Sequence, residues 1–154
     1  MIRFFIVALL VFTNIHTAQA EWFSWTAPKP DMKQLQCMAT AIYHEAGNES
    51  DMGRIAVGKV IINRVNSGVF PDSICGVVYQ RTGAHCQFTF ACVRNMKVTS
   101  QEQYARSLAS AELVMLGFHP DVSNGAIAFN NRPFRDKRLV KTAQIGGHYF
   151  YRRI

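Results

Sequence analysis

Leu35-Gln-Cys-Met-Ala-Thr-Ala-Ile-Tyr-His-Glu-Ala46 reads as a helix with one dominant face. Leu35, Met38, Ile42 and Glu45 are spaced three, four and three residues apart, so they share that face. A carboxylate therefore stands at the end of an apolar stripe, where a core residue is expected. Burial disfavours the charged form and raises a carboxyl pKa. A carboxylic acid that keeps its proton near neutral pH is what general acid catalysis requires. The same spacing also fits a helix-end Glu that turns out to solvent or caps a neighbour, and periodicity does not separate the two.

Working outward, the pattern predicts a helix over about 33–46, ended at Gly47-Asn48 by residue types that tolerate left-handed backbone. A second helix is expected from about Met52 to Val65, with Ser50 or Asp51 as N-cap. Its face is wide and apolar, and Gly53, Ala56 and Gly58 permit close helix approach, so it reads as the central buried helix. A short element, Ile74 to Gln80, and an irregular stretch over 81–99 come next. Ser100-Gln-Glu-Gln103 is a capping box opening a third helix to about Met115, expected to bury Tyr104, Leu108, Ala111 and Met115. Strands are expected at 126–130 and 148–151, separated by a basic loop over 131–147. The sum is a small, mainly helical α+β domain with a short antiparallel strand pair near the C-terminus.

The ends and the cysteines bear on compartment. Met1-Ile-Arg3, the apolar run from Phe4 to Phe12 and the small-x-small triplet Ala18-Gln19-Ala20 have the form of a signal peptide over 1–20. An uncleaved anchor is the other reading. A linker over 21–33 with Trp22, Trp25, Pro28 and Pro30 precedes a domain over 34–154. Cys37, Cys75, Cys86 and Cys92 all follow the expected cleavage point, and an even count in a small exported domain favours two disulfides. The short Cys86–Cys92 spacing suits one tight loop, which leaves Cys37 with Cys75, although three pairings are formally open. A zinc site with His85 is disfavoured because no CxxC pair is present.

The formal charge is +7, with seventeen Lys and Arg against ten Asp and Glu. Arg132, Arg135, Lys137, Arg138, Lys141, Arg152 and Arg153 crowd the C-terminal part. Such a charge suits an anionic partner. For an exported chain a wall polymer or a membrane surface is the natural one and nucleic acid is not expected; the charge also fits simple solubility. His44-Glu45 begins like the zincin motif HExxH, but Asn48 stands where the second histidine belongs. G-x-S-x-G and glycine-rich phosphate loops are absent. Acid–base chemistry centred on a carboxylate is what remains, with no metal or organic cofactor expected.

Ala39-Thr-Ala-Ile-Tyr-His-Glu-Ala46, Gly53 to Ala56 and Val60-Ile-Ile-Asn-Arg-Val65 resemble the cell wall hydrolase family of the spore-cortex-lytic enzymes (SleB/CwlJ type). Phe70-Pro71, Ile74-Cys-Gly-Val-Val-Tyr-Gln80, Cys86-Gln-Phe88 and Ile145-Gly-Gly-His-Tyr-Phe-Tyr-Arg152 continue the resemblance in order, over roughly residues 35–152. It implies a lysozyme-like or resuscitation-factor-like fold and action on peptidoglycan glycan strands, as a lytic transglycosylase or muramidase located in the periplasm or cell envelope. It implies Glu45 as the catalytic acid. It also suggests Asn63, Arg64, Tyr79, Gln80, Gln87, Phe88 and His148 as substrate-binding residues, each with a structural role as its alternative.

A single-acid mechanism needs no second carboxylate. Glu49, Asp51, Asp72 and Asp121 are the candidates for one, and the break at Gly47-Asn48 argues against Glu49 sharing the face of Glu45. The chain departs from the family pattern at His44, often Phe in relatives, and at Phe129-Asn-Asn131 and Arg132-Pro-Phe-Arg135. Those changes bear on substrate grip more than on reaction class. A monomer is expected. The alternative from another class is a wall-binding module with this fold and no turnover; a cationic protein acting on membranes or nucleic acid is the third.

Overall fold

In the computed structural model, residues 29–154 are described. The expected signal peptide over 1–20 and the linker tryptophans lie outside the described residues. Helix α1 (Met32–Ala46) begins one residue earlier than expected because Asp31 caps it, its carboxylate accepting from the Lys33 and Gln34 N–H groups at 2.8 and 3.2 Å. Such a cap contributes about 1 kcal/mol. The expected stripe is buried: Leu35, Met38 and Ile42 are 4%, 0% and 0% exposed. Each such side chain contributes roughly 1.5–3 kcal/mol on burial. Gly47 ends the helix with φ −57°, so the left-handed backbone expected there does not occur.

Helix α2 (Asp51–Asn66) starts at Ser50, whose hydroxyl accepts from the Gly53 N–H. Every residue from Gly53 to Ile61 is buried, so α2 is the central helix as expected. Gly58 shows why its small residues matter: a Cβ there would stand 3.1 Å from Val114 and 3.2 Å from Ile42. Helices α1 and α4 (Gln101–Met115) close on α2 from two sides through this point.

The face of α4 differs from the expected one. Ser107, Ser110, Ala111 and Val114 are the buried residues, while Tyr104, Leu108 and Met115 are only half-buried. Small side chains permit a close crossing, which pushes the larger ones to its rim. The capping box is also half-formed. Ser100 Oγ accepts from the Gln103 N–H, but the Gln103 side chain turns away to Asn48. Tyr43 Oη takes its place, accepting from the Ser100 N–H at 3.2 Å and the Thr99 N–H at 3.0 Å. That tie fixes the C-terminal turn of α1 against the start of α4.

Helix α3 (Ile74–Val78) is the expected short element. The Cys37–Cys75 disulfide ties it to α1, and the Cys75 N–H donates to Gln34 Oε1 at 2.9 Å. The 81–99 stretch holds a small hairpin, β1 (Arg81–Thr82) with β2 (His85–Cys86), and a 3-10 turn over Thr89–Cys92 closed by the Cys86–Cys92 disulfide.

At the C-terminus β3 (Ala128–Asn130) and β5 (His148–Arg153) pair antiparallel, as expected. A third strand, β4 (Leu139–Ile145), lies within the stretch read as a basic loop, and the sheet order is β3-β5-β4. β4 is an edge strand with an irregularity between Lys141 and Ala143, which breaks the alternation that marks a strand in sequence. A two-residue turn, Gly146-Gly147, joins β4 to β5. The architecture is α+β, helices first and sheet last.

Candidate active site

Glu45 lies on the last turn of α1, half-buried, where two clefts meet. One cleft, about 430 Å³, is bounded by the 43–49 segment, Gln103, Asn131, Gly147 and His148. The other, about 330 Å³, is walled by Arg64, Gln87, Phe88 and residues 128–130 of β3. Among the described residues Glu45 forms no ion pair and caps no helix. Burial pushes its carboxyl above the ordinary glutamate range, and the nearby Arg64 guanidinium opposes that rise. The stripe ending in Glu45 thus presents a partly desolvated acid to an open groove.

Arg64 stands on the last turn of α2, 4% exposed. Its Nε donates to the Ile127 carbonyl at 2.7 Å, and its guanidinium carbon lies 5.3 Å from the Phe70 ring centroid and 5.2 Å from that of Phe88. Burial lowers its pKa to about 10 while Glu45 works the other way, so it stays cationic at neutral pH. Phe88 is 3% exposed and packs near Phe90 and Phe129, so it forms the floor of the cleft and part of the core at once. Gln87 is exposed on the cleft wall, its N–H bonded to the Gln80 carbonyl.

His148 opens β5 on the other side of Glu45. It is 9% exposed, lies edge-on to Phe129 at 5.2 Å, and its Nδ1 has no partner among the described residues. Burial lowers its pKa against the opposing charge of Glu49, so the ring is neutral at pH 7. Glu49 lines the same cleft as Glu45. The helix break expected to turn it away does occur, yet the chain curls back and brings its carboxylate to the Gly147 N–H at 3.2 Å. A Cβ on Gly146 would fall 1.9 Å from Glu49 Oε2 and one on Gly147 2.9 Å from Oε1, so this contact requires the glycine pair. Sequence reading missed this placement; the Gly146-Gly147 pair beside His148 was the available signal.

The remaining candidates are placed elsewhere. Asn63 lines neither cleft: its amide nitrogen donates to Asp121 Oδ2 and the Ala126 carbonyl, both at 3.0 Å. Asp121 in turn accepts from the Ser123 and Gly125 N–H groups, so Asn63 pins the loop that leads into β3. Tyr79 and Gln80 also line neither cleft. Phe90 stands between, stacked on His44 at 4.7 Å and edge-on to Tyr79, which faces a separate hollow with His44. His44 therefore turns to Phe90 rather than to the Glu45 carboxyl. Both disulfides pair as the loop argument favoured, and the Cys86–Cys92 bridge braces the segment that carries Gln87 and Phe88.

Residues 48–151 match the cell wall hydrolase family, and the chain belongs to it. The matched stretch begins just after Glu45. Over 119 residues the chain is 44% identical to the spore cortex-lytic enzyme of Bacillus cereus, covering 75% of this chain and 43% of that one. Over 46 residues it is 48% identical to the spore cortex-lytic enzyme of Oceanobacillus iheyensis, covering 30% and 17%. The chain spans less than half the length of these relatives. In structure it is similar to the catalytic domain of the Bacillus cereus SleB protein, with TM-score 0.62 and 26% identity over 82% of this chain and 95% of that one. The catalytic domain of the germination-specific lytic transglycosylase SleB from Bacillus anthracis gives TM-score 0.61 and 26% identity over 80% and 97%.

Proposed function

We propose that the chain is an exported enzyme that cleaves the glycan strands of peptidoglycan, with Glu45 as general acid and then general base. One observation carries the reading: the Glu45 carboxyl, raised by burial and in no ion pair, sits at the junction of two clefts. A strand laid through both clefts puts a glycosidic bond at that junction. The protonated carboxyl gives its proton to the bridging oxygen as the bond to the anomeric carbon breaks. The muramic acid's own 6-hydroxyl attacks that carbon, and the Glu45 carboxylate takes the hydroxyl proton. A 1,6-anhydro end results, and no second protein carboxylate is consumed. Arg64 limits how far the acid's pKa rises, Gln87 offers an exposed amide to a sugar, and Phe88 forms the floor beneath it.

Glu49 favours a second reading, hydrolysis. It lies in the same cleft, and a second carboxylate can activate water where the sugar supplies no nucleophile. Mass spectrometry of digested peptidoglycan separates the routes: anhydro ends for the first, reducing muramic acid ends for the second. Export follows from the expected signal peptide, and no helix among the described residues is long and apolar enough to cross a membrane.

A further inference from the structure

Beyond the Gln87–Arg64 wall of the cleft lies a third hollow, about 190 Å³, sharing Arg64, Gln87 and Ala128 with it. Arg138 and Arg153 face this hollow from the sheet side, with Asp136 between them. Asp136 accepts from Arg138 Nε at 3.0 Å and Nη2 at 2.8 Å, which fixes that guanidinium in place. The hydrogen bond from the Arg138 side chain, then that from its N–H, holds Asp136 near pKa 2, so it is ionised. Three guanidinium groups and one carboxylate thus line the hollow, which keeps a net positive charge. Arg64 is buried, and its Nη1 has no partner among the described residues.

We propose that this hollow is a carboxylate subsite that reads the acidic substituent of the glycan strand next to the bond held at Glu45. The inference rests on the glycan-cleaving reading and adds what the strand must carry. A neutral sugar gives three guanidinium groups nothing to neutralise, and a cation is repelled. Asp136 takes Nε and Nη2 of Arg138, which leaves its Nη1 and the guanidinium of Arg153 as donors for a ligand carboxylate, the partner that arginine's planar fork suits. Two sources on a peptidoglycan strand supply it: the lactyl carboxyl of a peptide-free muramic acid, or the carboxylates of an attached peptide.

The test is strand binding by the full chain carrying Glu45→Gln, so that cleavage does not intrude. Four probes are compared: peptide-bearing strands, strands stripped of peptides to expose the lactyl carboxyl, and each of these with its carboxyls amidated. The proposal expects at least one carboxylate-bearing strand to bind roughly tenfold or more tightly than its amidated form. Adding Arg138→Gln and Arg153→Gln together removes that difference, while Arg94→Gln with Lys97→Gln, which removes the same two charges from exposed positions outside the hollow, does not. An advantage confined to stripped strands assigns the lactyl carboxyl; one confined to peptide-bearing strands assigns the peptide; one in both shows that either source is taken. Equal binding of each strand and its amidated form overturns the subsite, as does an equal loss from the Arg94 and Lys97 pair. Cleavage of intact strands by the unmodified chain, measured in parallel, reports on the catalytic reading separately.

Discussion

Glu45 and Arg64 act on each other through space, without an ion pair joining them. Burial pushes the Glu45 carboxyl up, and the Arg64 charge draws it partly back. Arg64 cannot close on Glu45 because Ile127 holds its Nε and two aromatic rings flank its guanidinium. A direct ion pair would favour the ionised form; without one, the arginine only tempers the rise that burial causes.

The activity profile follows. On the proposed mechanism Glu45 must be protonated at the start, so kcat/KM falls as pH rises through its pKa, and that limb lies above the ordinary glutamate range. Replacing Arg64 with Gln removes the opposing charge and moves the limb to higher pH. The variant also strands the Ile127 carbonyl and costs stability, on the order of 1–3 kcal/mol. A pH–rate series on both proteins checks the direction; a limb that moves down contradicts the pairing.

Stability should show the same group with the matching sign. A raised carboxyl pKa in the fold means that stability is fully present below the unfolded value and declines as pH rises through the folded one. Glu45→Gln removes that decline. Its Tm therefore exceeds the wild-type value at pH 7, and the gain shrinks toward zero near pH 3. Thermal melts at the two pH values measure this.

Glu49 and the Gly146-Gly147 turn form one device. Gly146→Ala puts a methyl where the Glu49 carboxylate lies and demands positive φ from alanine, since Gly146 has φ +54°. We expect turnover to fall at least about tenfold, because His148 follows the turn directly into the cleft. Glu49→Gln keeps the shape and most of the hydrogen bond. Its activity stays within a few-fold of wild type if Glu49 only positions the turn, and collapses if Glu49 activates water. Steady-state rates on strands of one length distinguish the two.

Asn63→Ala is predicted to act on stability alone. The loop at 121–126 loses its tie to α2, at a cost of about 1–3 kcal/mol. Denaturant midpoints fall while KM is unchanged at temperatures where the fold persists. A raised KM would restore Asn63 to the substrate-binding set.

Cys37→Ser with Cys75→Ser removes a bridge across 38 residues of chain. The chain-entropy account puts the loss near 4 kcal/mol. Activity at low temperature should survive, since neither cysteine lines the two clefts. Cys86→Ser with Cys92→Ser opens a loop of only 6 residues beside Gln87 and Phe88, so it should cost less stability, about 2 kcal/mol, and more turnover than the first pair.

The stripe from Leu35 to Glu45 was legible because helix periodicity is a local property, and α2 was legible because its apolar residues are contiguous. β4 was not, because the irregularity between Lys141 and Ala143 erases its alternation and it lies amid the basic residues of the 131–147 stretch. The site divided along the same line. Glu45, Arg64, Gln87, Phe88 and His148 come together in the structure, while Asn63, Tyr79 and Gln80 do not. For Tyr79 the difference is one intervening ring, Phe90, whose position depends on the Cys86–Cys92 loop and has no signature in spacing. Glu49 was hidden because sequence shows where a helix stops, not where the chain goes next.

The most direct test of the account is mass spectrometry of muropeptides released from purified peptidoglycan by the wild-type chain and by Glu45→Gln. The account predicts new 1,6-anhydromuramic acid ends with the wild type and none with the variant, although the variant still binds the strands. Absence of glycan cleavage by the wild type, or cleavage that survives the substitution, contradicts it.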